Sequence, residues 1–379
     1  MRASPQDYES LVEIADTCFP RDRERGGMEA RWPHCFDRNR IRDSLIFRDR
    51  GKVVSHVRCV DQQVRIGEAT TRDCGISGVS TLPEYRNMGL MSRLLRFSIR
   101  FMADEGYALS DLGGDRQRYG RFGWESAGRT WLYTITPRSA GEVDAPRGLT
   151  VAPFDPDSSD VDETFALQRQ EPVGVERDRE LHAMLLGRLG KEVWVCRRDG
   201  EVASYAVVEC EKNCSIDELA GTAEGTHSII LRLLKDGHES VTLNLPWNHP
   251  LNYLMLELSR SWCVTYLRML RILDLEKVLD DFSQQLEARY RRIGLSGGRC
   301  LSLAISDEDR QVDLHFTDAG MQVEENARRD GCLVFSRRDM VRLLFGPGAP
   351  DIASRLPEDQ RFLASILPLD IFIWRNEMV

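Results

Sequence analysis

The sequence predicts a mixed α/β fold built twice over and closed by a smaller α+β unit. Three observations carry that expectation. A helix, paired strands, a helix and a strand follow one another in the first 136 residues. A similar succession returns after PRSAGEVDAPRGLT (137–150), a stretch rich in Pro, Gly and polar residues that reads as a linker. From Ser283 the pattern changes to strands that alternate apolar and polar residues, followed by a strand feeding a short helix. At roughly 100–200 residues per domain, 379 residues leave room for two or three units, and the predicted boundaries are 1–136, 150–282 and 283–379.

The elements follow in order. Ser4 caps a first helix, Pro5 sits in its first turn, and Tyr8, Leu11, Val12 and Ala15 recur at helical spacing. SLIFRDRGKVVSHVRCV reads as two strands joined at Arg50-Gly51, and QQVRIGEATTRDCGISGVSTL as a second strand run that turns near Gly67. A helix is predicted from about Gly89 to Glu105, with Leu90, Leu94, Phe97 and Phe101 on one stripe and Met91, Leu95 and Met102 beside it. YALSDLGG (107–114) is a strand. In the second pass a helix near 179–189 precedes a hairpin through Asp199-Gly200, then CSIDELAG as a strand, HSIILRLLKDG as a helix and SVTLNLPWN as a strand.

Composition narrows the function classes. Hydrophobic residues make up 42% and charged residues 29%, which excludes a largely disordered chain. The net charge of −9 argues against non-specific nucleic-acid or anionic-membrane binding and suits cationic small substrates. No run approaches a membrane span, and the N-terminus lacks a secretory pattern, so a cytoplasmic protein is expected. The ten cysteines are scattered. Cys210 and Cys214 form a lone C-x-x-x-C, and the seven histidines add no ligand spacing, so free thiols and no metal are expected.

The strongest local signal is GVSTLPEYRNMGLMSRLLRF (78–97). A strand ends near Pro83, a short basic loop Arg86-Asn87-Met88-Gly89 follows, and a helix begins at once. Such a loop aims successive N–H groups at one spot beside the positive end of a helix, which suits a pyrophosphate. A plain strand-to-helix turn with Gly for packing is the alternative. This loop, the order of elements and YGRFGW (119–124) together resemble the GNAT family of acyl-CoA-dependent N-acetyltransferases, and more narrowly its Eis-like (enhanced intracellular survival) group. The resemblance implies tandem GNAT folds with central mixed sheets and a C-terminal domain similar to sterol carrier proteins. The second copy carries Ala220-Gly221-Thr222-Ala223-Glu224-Gly225 where the basic loop belongs, and no cofactor is assigned to it.

The resemblance further implies acetyl-CoA as co-substrate, a primary amine on a small molecule or a lysine as acceptor, and self-assembly, relatives forming hexamers. The backbone of Val79 and Thr81 would pair with the pantetheine amides, and Arg86, Asn87, Met88, Gly89, Leu90 and Met91 would hold the pyrophosphate. Met91 departs from the small residue usual in the wider family, and Asn87 stands where a second basic residue is common. Tyr119 would be the general acid. Phenol and leaving thiol differ by about 1.5 pKa units, a gap that Arg118 or Arg121 would narrow. The general base would be a carboxylate at Val379, a residue that on the alternative reading merely ends a strand. Asp16, Asp37, Asp370 and Glu377 are candidates for an acidic acceptor pocket, while Cys74 has no activating His and reads as inert. A longer acyl-CoA donor, or a non-catalytic protein holding an apolar ligand in its last domain, are the other readings open at this point.

Overall fold

The computed structural model of the chain describes residues 1–295, 298–348, 351–352 and 354–379. Ser4 and Asp7 form a capping box at a 3-10 turn that runs into α1 (Tyr8–Cys18), which buries Tyr8, Leu11, Ile14 and Ala15. The short helices α2 (Pro20–Glu24) and α3 (Met28–Arg31) follow. β1 (Ser44–Asp49) and β2 (Lys52–Ile66) pair about a turn at Arg50 and Gly51, both at positive φ, and β3 (Ala69–Thr81) returns along β2 after Gly67. β2 is one strand of 15 residues rather than parts of two separate runs, because one end pairs with β1 and the rest pairs with β3.

Then come α4 (Leu90–Asp104), β4 (Leu109–Leu112), α5 (Arg116–Gly120), β5 (Glu125–Ile135) and α6 (Pro137–Ala140). The buried face of α4 is Leu94, Leu95, Ser98 and Met102, and Phe97 is 48% exposed. The predicted stripe is thus rotated. Ser98 takes a core position because its hydroxyl donates to the Leu94 carbonyl oxygen (2.9 Å), which leaves no polar atom unsatisfied.

The second pass contains β6 (Thr150–Pro153), α7 (Asp160–Gln168), β7 (Val173–Val175) and α8 (Arg179–Leu186). It continues through β8 (Glu192–Arg198), β9 (Glu201–Cys210), β10 (Cys214–Gly221), α9 (Ala223–Lys235) and β11 (Val241–Pro246). It ends with α10 (Asn252–Leu258) and β12 (Ser259–Ile272). Among the described residues these strands and those of the first pass make one twelve-stranded mixed sheet, ordered β1-β2-β3-β4-β12-β5-β11-β10-β9-β8-β6, with β7 beside β2. β12 lies between β4 and β5, antiparallel to both, so the last strand of the second pass completes the sheet of the first.

α11 (Leu275–Asp281) and α12 (Ser283–Arg292) lead to a four-stranded sheet of β13 (Arg299–Ile305), β14 (Arg310–Thr317), β15 (Gly320–Ala327) and β16 (Leu333–Phe335), and to α13 (Arg337–Phe345). Buried Glu125 at the start of β5 binds Arg338 and Arg342 of α13 as well as Arg116. Burial alone would raise its pKa, but those cations and the Ser126 N–H hold it down at about 2.

One expectation is corrected. Cys210 and Cys214 form a disulfide, not free thiols, because the β9–β10 hairpin makes them register partners with Cα atoms 4.2 Å apart. The other eight cysteines are free. The closing residues do not fray: Ile371, Phe372, Ile373 and Trp374 are at most 4% exposed. No described helix is long and apolar enough to cross a membrane.

Candidate active site

The site begins where two strands part. β3 pairs in parallel with β4 at Asp73–Leu109, Cys74–Ser110 and Gly75–Asp111, and then the ladder stops. Among the described residues no strand pairs with that edge of β3 beyond Gly75. Residues 76–81 therefore lack a strand partner on that side, where the Thr81 carbonyl oxygen accepts from Cys18 Sγ (3.4 Å). A bulge opposite His56–Arg58, with Gly78 at φ +57, bends this stretch away from the ladder.

The loop that follows is shaped by two left-handed residues, Asn87 (φ 64) and Gly89 (φ 72). A Cβ on Gly89 would meet nothing within 4 Å, so packing is not why glycine stands there. Its φ and the open space above it are the reasons. Gly89 also precedes α4 with no side-chain cap, which leaves the first N–H groups of a 15-residue helix without an intrahelical partner. At the equivalent turn of the second pass Thr222 caps α9 by accepting from Gly225 N–H (3.1 Å), and a Cβ on Gly225 would lie 2.6 Å from Ser204.

A cavity of about 650 Å³ lies over this turn. Of the residues expected there, Val79, Thr81, Arg86, Asn87, Gly89, Leu90 and Met91 line it. Met88 does not; it is 62% exposed. Cys18 and Phe19 at the end of α1, with Ser80, Tyr85, Ser92, Arg118 and Arg121, complete the wall. Arg118 and Arg121 arrive from α5, and the sequence ties them to Tyr119 only; their wall position depends on how α5 is folded back. Arg121 donates to the Ser92 hydroxyl (3.2 Å) and Arg86 to the Thr81 carbonyl oxygen (3.3 Å). Among the described residues Arg86, Arg118 and Arg121 have no carboxylate within ion-pair distance. Three such guanidiniums around one cavity, in a chain of net charge −9, make its wall locally positive.

Tyr119 is 7% exposed and sits behind the cavity wall, not in it. Its ring lies so close over Gly114 that a Cβ there would be 2.6 Å from Cε2. Burial raises the phenol pKa, and Arg118 opposes that rise without cancelling it. The surroundings therefore widen the gap to a thiol that a cation was expected to narrow.

Val379 lies at the point where β3 and β4 separate. A Cβ on Gly75, the last residue of β3 paired with β4, would be 2.2 Å from Val379 Cγ2. Val379 and the cavity residue Phe19 pack on one cluster of Ala15, Met28, Cys35, Phe36 and Val60. His34 Nε2 donates to the Met378 carbonyl oxygen (3.0 Å), and burial keeps that imidazole neutral, its pKa lowered to about 3. The four candidate pocket acids do not converge. Asp16 accepts from Met28 N–H (2.8 Å) and Asp37 from Asn39 N–H (2.8 Å). Asp370 pairs with Arg129 (2.9 Å) and Arg289 (3.2 Å), and Glu377 accepts from Val175 N–H (3.0 Å) and Trp374 N–H (3.2 Å). Each is spent on holding backbone or arginine in place. Cys74 is buried with a raised pKa, as an inert thiol should be.

The chain's first third matches the profile of the acetyltransferase (GNAT) domain over residues 1–127. Residues 1–127 are a GNAT domain. No curated protein matches the sequence. Solved structures resemble the whole chain in fold. A protein of Enterococcus faecalis V583, described as a probable N-acyltransferase, is 18% identical with a TM-score of 0.74, covering 98% of this chain and 96% of its own. A GCN5-related N-acetyltransferase from Kribbella flavida is 17% identical with a TM-score of 0.70, covering 99% and 98%. Eis1 from Mycobacterium abscessus is 14% identical with a TM-score of 0.67, covering 98% and 97%. The GNAT domain thus contains the uncapped helix, the open β3 edge, all three arginines and Tyr119, while β12, which closes its sheet, lies outside it.

Proposed function

We propose that the chain is an acyl-CoA-dependent N-acetyltransferase that moves an acetyl group from acetyl-CoA to a primary amine by direct attack. The observation that carries this reading is the set of three arginines, none with a carboxylate partner among the described residues, around an uncapped helix start inside the GNAT domain. The N–H groups of the Arg86–Met91 turn would hold the pyrophosphate, and the arginines would neutralise it. The open edge of β3 at Val79 and Thr81 would receive the pantetheine amides as an added strand.

The amine nitrogen attacks the thioester carbonyl carbon, the C–S bond breaks, and the thiolate takes a proton from Tyr119. The acceptor's own proton passes to a carboxylate at Val379. The raised pKa of Tyr119 makes proton transfer to thiolate uphill in the free protein, so in this mechanism bound CoA must bring sulfur within hydrogen-bond reach of the phenol. On the same reading the chain divides at 1–136, 150–282 and 283–379, and the last unit is the sterol-carrier-like domain that carries Val379.

The test is release of CoA thiol from acetyl-CoA with a panel of amines, run beside acetyl-CoA binding by calorimetry. Tyr119→Phe should lower turnover roughly a hundredfold and leave the acetyl-CoA Kd within about threefold. Unchanged turnover removes Tyr119 from the acid role. Adding a few residues beyond Val379 should lower turnover at constant Kd, and a fully active extended protein removes the base. Absence of acetyl-CoA binding at millimolar concentration overturns the whole reading.

A further inference from the structure

Two turns of the second pass meet beside the GNAT domain, whose Arg25 pairs with Glu211 of the first turn. One is Glu211-Lys212-Asn213 between β9 and β10, and the other leads from α9 into β11 through His238. Hydrogen bonds tie them. Cys214 N–H donates to the Ser240 carbonyl oxygen (3.0 Å) and Glu239 N–H to the Lys212 carbonyl oxygen (3.3 Å). Ser240 Oγ donates to Asn213 Oδ1 (3.1 Å), and Thr242 Oγ1 to the Cys214 carbonyl oxygen (3.3 Å). The sulfurs of Cys210 and Cys214 and a ring nitrogen of His238 are brought within 4.8 Å of one another.

We propose that the dithiol form of Cys210 and Cys214 binds one zinc-class divalent ion together with His238, a water taking the fourth position. Two thiolates and one imidazole are the donor set that a tetrahedral d¹⁰ cation selects over magnesium or calcium. The two thiolates neutralise the ion's charge. His238 Nδ1 lies 3.1 Å from the Glu211 carbonyl oxygen, the kind of outer partner that fixes the tautomer of a ligating imidazole and leaves the lone pair on Nε2. Cys214 is 1% exposed, while Cys210 and His238 are half-buried, so the cluster is reached from solvent on the side of Cys210 and His238. The turns that carry the ligands are already fastened without it, so binding needs no folding of the site. Spacing in the sequence hides this set, because His238 stands 24 residues beyond Cys214 and reaches it only through the parallel pairing of β10 with β11.

In the oxidised chain the two sulfurs are bonded to each other and cannot serve as thiolates. The same folded protein therefore supplies its own control. The experiment reduces full-length protein with a water-soluble phosphine, which opens the S–S bond to two thiols as it takes up oxygen from water. The protein is then titrated with Co²⁺ and displaced with Zn²⁺, reading the visible d–d and thiolate charge-transfer bands. The expected result is one equivalent with a tetrahedral spectrum in the reduced wild type and none in the oxidised wild type. His238→Ala and Cys214→Ser should each weaken binding by more than about a hundredfold, the upper range for losing an outer-shell partner alone. Circular dichroism keeps a misfolded variant from counting. Uptake that is equal in oxidised and reduced wild type, or unchanged in folded His238→Ala, overturns the site. So does reduced wild type that takes up no ion at micromolar Co²⁺. None of these readings depends on acetyl transfer.

Discussion

Asn87 and Gly89 adopt backbone angles that favour glycine and asparagine, and nothing lies within 4 Å of the place a Cβ on Gly89 would take. Gly89→Ala places a methyl in empty space, so its stability cost is backbone strain of about 1–2 kcal/mol, readable by urea melts. The same methyl stands where a diphosphate would approach the N–H groups, so acetyl-CoA affinity should fall by about tenfold or more in calorimetry. An unchanged Kd would separate Gly89 from the anion site. Glu377 is a second case in which a single residue has a measurable signature. Burial raises its pKa to about 7, Arg177 opposes the rise and Glu218 adds to it. A carboxyl with a raised folded value binds more protons folded than unfolded between its ordinary 4.5 and about 7. Its contribution to stability is full below that window and is lost as the pH rises through it. Glu377→Gln stays neutral throughout. The difference in Tm, variant minus wild type, should grow from about pH 5 to about pH 8 in scanning calorimetry, and a flat difference refutes the assignment.

The junction of β3 and β4 is the element on which the site is hung, and its first and last rungs contribute the two members of a buried acid pair. Asp73 and Asp111 are fully buried; Gln62 donates to both (2.6 and 2.8 Å), and Arg268 of β12 pairs with Asp111. Burial, and then the charge of Asp111, push the Asp73 pKa well up, so Asp73 holds a proton and Asp111 carries the charge that Arg268 needs. Two isosteric substitutions should therefore behave oppositely in urea unfolding. Asp73→Asn replaces one neutral group by another and should cost less than about 1 kcal/mol. Asp111→Asn strands a buried guanidinium and should cost about 3–5 kcal/mol. Equal costs would mean that the charge is placed wrongly. On α4 the periodicity located the helix within a residue, but it set Phe97 inside, where the structure buries Ser98 instead. Hydropathy cannot foresee a hydroxyl satisfied by the carbonyl one turn earlier.

Across the whole molecule the two passes share one sheet. β4 has only three residues paired with β3, and its other edge is covered by β12, which arrives more than 140 residues later in the chain. The GNAT domain is therefore not closed by its own residues. A fragment ending near residue 150 would expose the edges of β4 and β5, and should aggregate or lack dispersed amide signals in NMR, whereas the full chain folds. A fragment that folds and binds acetyl-CoA would show that β12 is dispensable. Glu125, clasped by arginines of α5 and α13, and the buried closing residues fasten the third unit to the same sheet.

The sequence alone determined α1, α4, β4, β10 and α9, the two hairpin turns at Arg50-Gly51 and Asp199-Gly200, and the loop at 86–91, because these rest on local periodicity and on residues that tolerate positive φ, whereas β5 and β12 went unread. Tertiary structure decided which groups share space. It brought Arg118 and Arg121 to the wall at Arg86, set Tyr119 behind that wall, drew Val379 to Gly75, and joined Cys210, Cys214 and His238. Each of these juxtapositions spans residues distant in the chain or turns on how a loop is folded back, and non-local contacts leave no period in a sequence.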